Sequence, residues 1–181
     1  MGASNHTDIE REFGDYYATS PDAVKKLIEC EHFGKILEPA CGGGHIAKTL
    51  SEAGYEVKAQ DLYDHGYGEI GIDFLLTGKA PDMDIITNPP YKYATEFVRH
   101  SLDVIDEGRK VAMFLKIQFL ESEKRYKLFR SAPPARVYVF VKRQKIASGG
   151  KFLESNSNSV CYAWFVWVKG FTGDPVIKWI K

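Results

Sequence analysis

The residues Asn88, Pro89, Pro90 and Tyr91 form a stretch of this sequence well suited to chemistry. They follow Asp84-Ile85-Ile86-Thr87, a run too short and too β-branched for a helix, which indicates the end of a buried strand. Neither proline can donate a backbone hydrogen bond, so the chain makes a stiff turn there. The turn predicts an amide and a phenol at the carboxyl end of a strand, where open α/β sheets bind ligands. Taken alone, these residues favour an ordinary proline turn that closes a strand.

A glycine-rich loop about forty residues upstream changes that interpretation. A short predicted strand at 35–37 enters Glu38-Pro39-Ala40-Cys41-Gly42-Gly43-Gly44, and a predicted helix at 45–53 follows. Gly42 and Gly44 would let the backbone approach a ligand where a Cβ would collide. Asp61 ends the next predicted strand, where a carboxylate can accept hydrogen bonds from ribose hydroxyls. The combination predicts a cofactor that contains a nucleoside.

Glu38 distinguishes two kinds of nucleoside cofactor. A dinucleotide needs the amino end of the helix directed at its pyrophosphate. A carboxylate at the start of the loop would repel that phosphate, whereas it suits the cationic amino group of a methionine-like moiety. Glu38 therefore favours S-adenosylmethionine over NAD.

These motifs together resemble those of a known enzyme family. Leu37-Glu38-Pro39-Ala40-Cys41-Gly42-Gly43-Gly44 followed by Asn88-Pro89-Pro90-Tyr91 is similar to the amino-group DNA methyltransferases of the N6-adenine class. Tyr17-Ala18-Thr19-Ser20-Pro21 resembles the cofactor motif that precedes the glycine loop, with Ser20 inserted into the usual Thr-Pro pair. Asp73-Phe74-Leu75 resembles the motif that holds the adenine of the cofactor. The similarity spans about residues 15–168 and is greatest to small phage-borne or archaeal members.

The resemblance implies a fold, a cofactor and a set of site residues. The fold is an α/β, doubly wound, mostly parallel sheet of the Rossmann-like class I methyltransferase type. The cofactor is S-adenosylmethionine, and the implied cofactor-binding residues are Tyr17, Thr19, Glu38, Pro39, Ala40, Gly42, Gly44, Asp61, Leu62, Asp73, Phe74 and Asn88. No metal ion is expected, because the histidines show no metal-ligand spacing.

The catalytic residues are expected to be Asn88, Pro89, Pro90 and Tyr91. An exocyclic adenine amine is a poor nucleophile because its lone pair is delocalised into the ring. The side-chain oxygen of Asn88 and the carbonyl oxygen of Pro89 could accept hydrogen bonds from this amine and localise the lone pair, with the prolines fixing their directions. Tyr91 offers a ring for stacking on an extruded base. The opposite face of the base could be covered by Tyr93, Phe119 or Phe152, although core packing is an alternative for each.

Charge is distributed unevenly along a chain whose net charge is zero. Residues 1–90 hold 7 basic and 16 acidic residues, while residues 91–181 hold 17 and 8. Such asymmetry indicates a polyanionic partner, although solvated surface lysines would explain it as well. The residues expected to contact nucleic acid are Lys124, Arg125, Lys142, Arg143 and Lys145.

The chain length supports one domain at 16–181, preceded by an arm at 1–15. Strands alternate with helices, which favours a parallel sheet covered on both faces. A short third strand is predicted at 70–74, and the last strand, at 160–168, is expected to run antiparallel at an edge. Three widely spaced cysteines, no apolar leader and no membrane-length apolar run predict a cytoplasmic protein.

Other substrates remain open at this point. The same turn serves enzymes that methylate adenine in RNA or glutamine in proteins, although the glycine loop and the basic stretch favour DNA. A binding module without turnover is a further alternative. The chain has no room for a separate target-recognition domain, so specificity would be weak, would come from the loops at 62–82 and 143–158, or would come from a partner in a homodimer or a specificity subunit.

Overall fold

The computed structural model describes residues 17–144, 146–148 and 160–181, the middle segment by its backbone only. These residues contain four helices and nine strands. The helices are α1 (Pro21–Cys30), α2 (His45–Glu52), α3 (Ala94–Val104) and α4 (Glu123–Ser131). The strands are β1 (Tyr17–Thr19), β2 (Lys35–Glu38), β3 (Val57–Ala59), β4 (Met83–Thr87), β5 (Lys110–Lys116), β6 (Arg136–Phe140), β7 (Ile146–Ser148), β8 (Tyr162–Val168) and β9 (Val176–Ile180).

Seven of the strands form one sheet in the order β3-β2-β4-β5-β8-β6-β9. Strands β3, β2, β4 and β5 are parallel, β8 is antiparallel to both of its neighbours, and β9 is parallel to β6. Strands β2, β4, β5 and β6 therefore have their carboxyl ends on the same side of the sheet. This row of strand ends is here called the carboxyl edge, and it is distinct from the outermost strands, which are called edge strands. The remaining strands, β1 and β7, pair with each other in a separate antiparallel ribbon.

Both faces of the sheet are covered by apolar packing. On β5, Met113 packs in the core that contains α3 and α4, while its neighbour Phe114 packs in the core that contains α1 and α2. The side chains of β8 alternate in the same way, with Phe165 in the first core and Trp164 in the second. Burial on both faces explains why these strands are continuous apolar runs in the sequence.

Two sequence-based predictions about strands are wrong. The strand at 160–168 is antiparallel, as expected, but it lies between β5 and β6 instead of at an edge. The two edge strands of this sheet are β3 and β9, and the sequence analysis did not predict β9. The strand expected at 70–74 is replaced by a 3-10 turn at Phe74–Leu76, because Gly71 adopts a left-handed φ of 78° and Asp73 caps the turn through the backbone N–H of Leu75.

The helix predicted after Ser20 is confirmed as α1. The backbone N–H of Ala23 donates to the Ser20 hydroxyl at 3.3 Å, and Pro21 occupies the first helical position. Trp164 then donates its indole N–H to the Ala23 carbonyl at 2.8 Å. This bond ties α1, and with it the end of β1, to the central strand β8.

The arm predicted at 1–15, and also Lys145 and Phe152, lie outside the described residues. Within the described ranges, no helix combines the length and the apolar character needed to span a bilayer.

Candidate functional site

A cavity of about 410 Å³ opens at the carboxyl edge, above the ends of β2 and β4. Its wall contains most of the residues singled out in the sequence. These are Tyr17, Thr19, Glu38, Pro39, Ala40, Asp61, Leu62, Asp73, Phe74, Asn88, Pro89, Pro90 and Tyr91. Further wall residues that the sequence analysis did not select include His45, Tyr63, His65, Lys92 and Phe97.

Gly42 and Gly44 do not belong to the cavity wall. Gly44 has a φ of 78°, and a Cβ built on it would lie 2.3 Å from the ring of Tyr67. Glycine is therefore required at position 44 because the Tyr67 ring packs against it. The sequence analysis expected a ligand, and not a side chain, to approach the backbone there. Lys48 holds this arrangement, since its ammonium lies 4.7 Å from the centroid of the Tyr67 ring and donates to the Gly43 carbonyl at 2.9 Å.

Two carboxylates, those of Glu38 and Asp61, belong to the cavity wall. Glu38, at the end of β2, is 1% exposed, and its Oε2 has no hydrogen-bond partner. Burial raises the pKa of Glu38 well above its usual value, and the charge of Asp61 raises it further. Asp61 differs because both of its oxygens accept backbone N–H groups, Oδ2 from Gly42 at 2.8 Å and Oδ1 from Tyr63 at 3.0 Å.

The Asn88 amide is held at one end only. Its Nδ2 donates to the backbone carbonyl of Tyr17 at 2.8 Å, while its Oδ1 is buried without a partner. A carbonyl oxygen can only accept, so the amide nitrogen must be the atom that faces Tyr17. Asn88 belongs to the cavity wall, and its Oδ1 is a buried acceptor without a hydrogen-bond partner.

The Tyr91 ring is already packed against its neighbours. It stacks on Tyr17 with centroids 5.8 Å apart and planes 25° apart, and the Lys116 ammonium lies 4.8 Å from its centroid. Burial raises the pKa of the Tyr91 phenol, and the adjacent Tyr162 raises it further. A planar group that stacks on Tyr91 from the Tyr17 side must therefore displace the Tyr17 ring.

Three buried polar atoms without partners belong to residues of this one cavity. They are Thr19 Oγ1, Glu38 Oε2 and Asn88 Oδ1. An unsatisfied buried polar group costs about 1–3 kcal/mol, so native structures keep few of them. Three around one cavity indicate a ligand with several polar groups, including donors for Oε2 and Oδ1.

The basic residues of the second half divide between the two ends of the sheet. Lys142 and Arg143 are exposed directly after β6, at the carboxyl edge, and Lys124 is exposed at the start of α4. Arg136 and Lys110 lie at the opposite end, where both bind the buried carboxylate of Glu31.

Arg125 is engaged within the fold. Its guanidinium donates to the carbonyls of Phe119, Gln118 and Glu121 and lies 4.5 Å from the centroid of the Phe119 ring. Phe119 itself is buried in the core, so core packing explains it better than contact with a base.

Solved structures show which fold this is, whereas no protein-family model matches the chain. A candidate RNA methyltransferase from Pyrococcus horikoshii matches with a TM-score of 0.63 at 13% identity, over 87% of this chain and 88% of that one. Magnesium protoporphyrin IX methyltransferase from Synechocystis PCC 6803, with bound S-adenosylmethionine, matches with a TM-score of 0.54 at 13% identity, over 94% and 86%.

A third similar structure is longer than this chain. It is a candidate class I S-adenosylmethionine-dependent methyltransferase from Listeria monocytogenes, with a TM-score of 0.55 at 13% identity; the match covers 88% of this chain but 62% of that protein. The predicted fold class is confirmed: the sheet and its flanking helices form the Rossmann-like class I methyltransferase fold.

Proposed function

We propose that this chain is an S-adenosylmethionine-dependent methyltransferase that acts on the exocyclic N6 amine of adenine in DNA. The observation that carries the proposal is the unpartnered Asn88 Oδ1, which is buried at the wall of a cavity at the carboxyl edge of a methyltransferase fold. The unpartnered Glu38 Oε2 belongs to the same wall. One site thus contains an acceptor for an amine and a carboxylate for a cofactor.

The chemistry of the wall fits S-adenosylmethionine. Glu38 would accept the methionine ammonium, which needs a buried anion and would restore the missing partner of Oε2. Asp61 has lone pairs left after its two backbone bonds, and these suit ribose hydroxyls. Asp73 and the buried ring of Phe74 would hold the adenine. When bound, the cofactor supplies an electrophilic methyl group on a sulfonium.

The protein's own contribution to the transfer is positioning. Asn88 Oδ1 and the carbonyl oxygen of Pro89 would each accept one N–H bond of the substrate amine, which makes its lone pair available to the methyl group. Two consecutive prolines restrict the backbone and fix these directions in advance. Neither oxygen is a strong base, so the proton lost after transfer passes to solvent. Tyr91 would hold the base by stacking on the ring face that Tyr17 does not cover, which requires the Lys116 ammonium to move aside.

DNA is favoured by two features. The glycine loop and the Asn-Pro-Pro-Tyr turn resemble the DNA class, and Lys142 and Arg143 lie at the same edge of the sheet as the cavity. Adenine in RNA and glutamine in proteins would use the same amine chemistry. We further propose that target specificity comes from the loops near the carboxyl edge or from a second subunit.

The proposal is tested by methyl transfer from tritium-labelled S-adenosylmethionine to duplex DNA, single-stranded DNA, RNA and a protein extract in parallel. We expect label in DNA, recovered as N6-methyldeoxyadenosine after nuclease digestion. Label in RNA or in protein glutamine would overturn the choice of substrate. Tight cofactor binding without transfer to any acceptor would overturn enzyme function in favour of a binding module.

A further inference from the structure

The strand β1 contacts the catalytic turn, Asn88-Pro89-Pro90-Tyr91, through a backbone oxygen as well as through the Tyr17 ring. The carbonyl oxygen of Tyr17 accepts a hydrogen bond of 2.8 Å from Asn88 Nδ2, although the two residues are 71 positions apart in the sequence. This bond is formed by the main chain, so the identity of the side chain at position 17 does not disclose it. The sequence motifs around Tyr17 and Asn88 therefore give no sign that the two residues touch.

The direction of an amide decides what it offers to a ligand. If the Asn88 amide turned over, its NH₂ group would enter the cavity and meet the N–H bonds of an incoming amine, donor against donor. The Tyr17 carbonyl excludes that orientation, because the turned amide would set two oxygens against each other. The acceptor in the cavity is thus selected by a group outside the catalytic turn.

Tyr17 is itself fixed from several directions. Its ring stacks on Tyr91, its strand pairs with β7, and the next residues begin helix α1 through the Ser20 cap. An isolated three-residue ribbon is marginal by itself, so these added contacts are needed to hold the carbonyl in place.

We propose that Tyr17 is a positioning residue, whose backbone carbonyl orients the Asn88 amide so that Oδ1 accepts the substrate amine. This inference rests on the proposed function for its effect on catalysis, but the contact itself can be tested without substrate. It makes β1 a part of the catalytic machinery in addition to the cofactor site.

The substitution Asn88→Asp isolates this role, because a carboxyl group changes from acceptor to donor with pH. When ionised, the new carboxylate has no hydrogen for Tyr17 and is repelled by its carbonyl oxygen. When protonated, its hydroxyl can donate to Tyr17 while its carbonyl oxygen faces the cavity, as in the parent amide. We therefore expect the ratio of variant to parent kcat, at saturating cofactor, to rise about tenfold per unit of falling pH above the carboxyl pKa.

The ratio to the parent removes effects that both proteins share. The other titratable groups of the cavity wall and its neighbours are the phenols of Tyr17, Tyr63, Tyr91, Tyr93 and Tyr162, the imidazoles of His45 and His65, the ammonium groups of Lys92 and Lys116, the carboxyls of Glu38, Asp61 and Asp73, and the thiol of Cys41. Asn88→Ala is the matched control, since it has neither donor nor acceptor and its ratio should stay flat with pH. A flat ratio for Asn88→Asp, at any level of activity, would overturn the proposal.

A second measurement separates this inference from the proposed function. In Asn88→Asp without substrate, burial and the Tyr17 carbonyl both favour the protonated form of the new carboxyl, so its pKa, followed by carbon-13 NMR, should be raised. An ordinary or lowered pKa would overturn the positioning role. If the parent transfers no methyl group while this pKa is raised, the proposed function fails and the positioning contact is not contradicted.

Discussion

The buried carboxyl of Glu38 lowers the stability of the folded protein when it is ionised, whereas the same charge is proposed to favour cofactor binding. Its carboxyl is 1% exposed with one oxygen unpartnered, and burial raises its pKa. The folded protein therefore keeps this proton to higher pH than the unfolded chain does. Stability contributed by this group is present below the ordinary pKa of 4.5 and is lost as pH rises toward the folded value.

The substitution Glu38→Gln should separate these two effects. We expect it to raise the free energy of unfolding at pH 8 by about 1–3 kcal/mol, because the desolvated charge is gone, and to leave stability at pH 4 nearly unchanged. The same change should weaken S-adenosylmethionine binding roughly 10- to 100-fold, since a charge-assisted bond is lost. Urea denaturation at both pH values and titration calorimetry would measure this. Losses in both quantities would contradict the assigned role.

Gly44 is a residue whose role depends on one neighbour. Gly44→Ala should destabilise the fold because a Cβ would lie 2.3 Å from the Tyr67 ring, in addition to a left-handed strain of about 1–2 kcal/mol. Gly54→Ala is a matched control, since its φ is 92° and nothing lies within 4 Å of the added Cβ. Urea denaturation should show a larger loss for Gly44→Ala, and Tyr67→Ala should remove the difference. An equal loss at both glycines would contradict the packing role.

At the scale of elements, the carboxyl edge is where nucleic-acid contacts are expected. The double substitution Lys142→Gln and Arg143→Gln should make the negative slope of log K against log salt shallower by about 1.8 for duplex DNA, if each residue neutralises one phosphate. Filter binding between 50 and 300 mM salt would measure the slope.

The matched control for this prediction removes the same charge at the other end of the sheet. The control variant carries Lys35→Gln and Lys79→Gln, two positions near the amino ends of β2 and β4. Its slope of log K against log salt should equal that of the parent. If both double variants lose the same slope, binding follows net charge and the edge has no special role.

The sequence predicted the elements that carry their own signals. Ser20-Pro21 marked the start of α1, and β-branched or apolar runs marked β4 and β5. The missed strands lack such signals, because β1 and β7 have three residues each and β9 exposes most of its side chains. The apolar run at 160–168 indicated a strand, but it did not indicate which strands lie on either side of it in the sheet. That position follows from the burial of both its faces.

The part of the candidate site that sequence motifs indicate is the set of residues at the ends of strands. Glu38, Asp61 and Asn88 belong to the cavity wall because they end strands that share one edge. The bond from Asn88 to the Tyr17 carbonyl and the packing of Tyr67 on Gly44 were not predictable, since both depend on contacts between distant segments. Arg125 was predicted from the sequence to contact nucleic acid. In the structure its guanidinium donates to three backbone carbonyls, a set of contacts that the sequence pattern does not indicate.

At the scale of the whole molecule, a ligand that satisfies the three unpartnered atoms of the cavity should stabilise the fold. S-adenosylmethionine at about 100 times its Kd should add about 2.7 kcal/mol, which corresponds to a rise in Tm of roughly 5–11 °C for a chain of this size. Differential scanning fluorimetry would measure the shift, and Glu38→Gln should reduce it. A comparable shift with NAD and none with S-adenosylmethionine would contradict the cofactor proposal.

The central claim is that the Asn88 side chain acts mainly in methyl transfer and contributes little to cofactor affinity. Its most direct test is single-turnover methyl transfer to adenine-containing DNA by the parent and by Asn88→Ala, each saturated with S-adenosylmethionine. We expect the variant to transfer methyl groups roughly 100- to 1,000-fold more slowly, with its cofactor Kd within about threefold of the parent value. Transfer at the parent rate, or an equal loss of cofactor affinity, would contradict the claim.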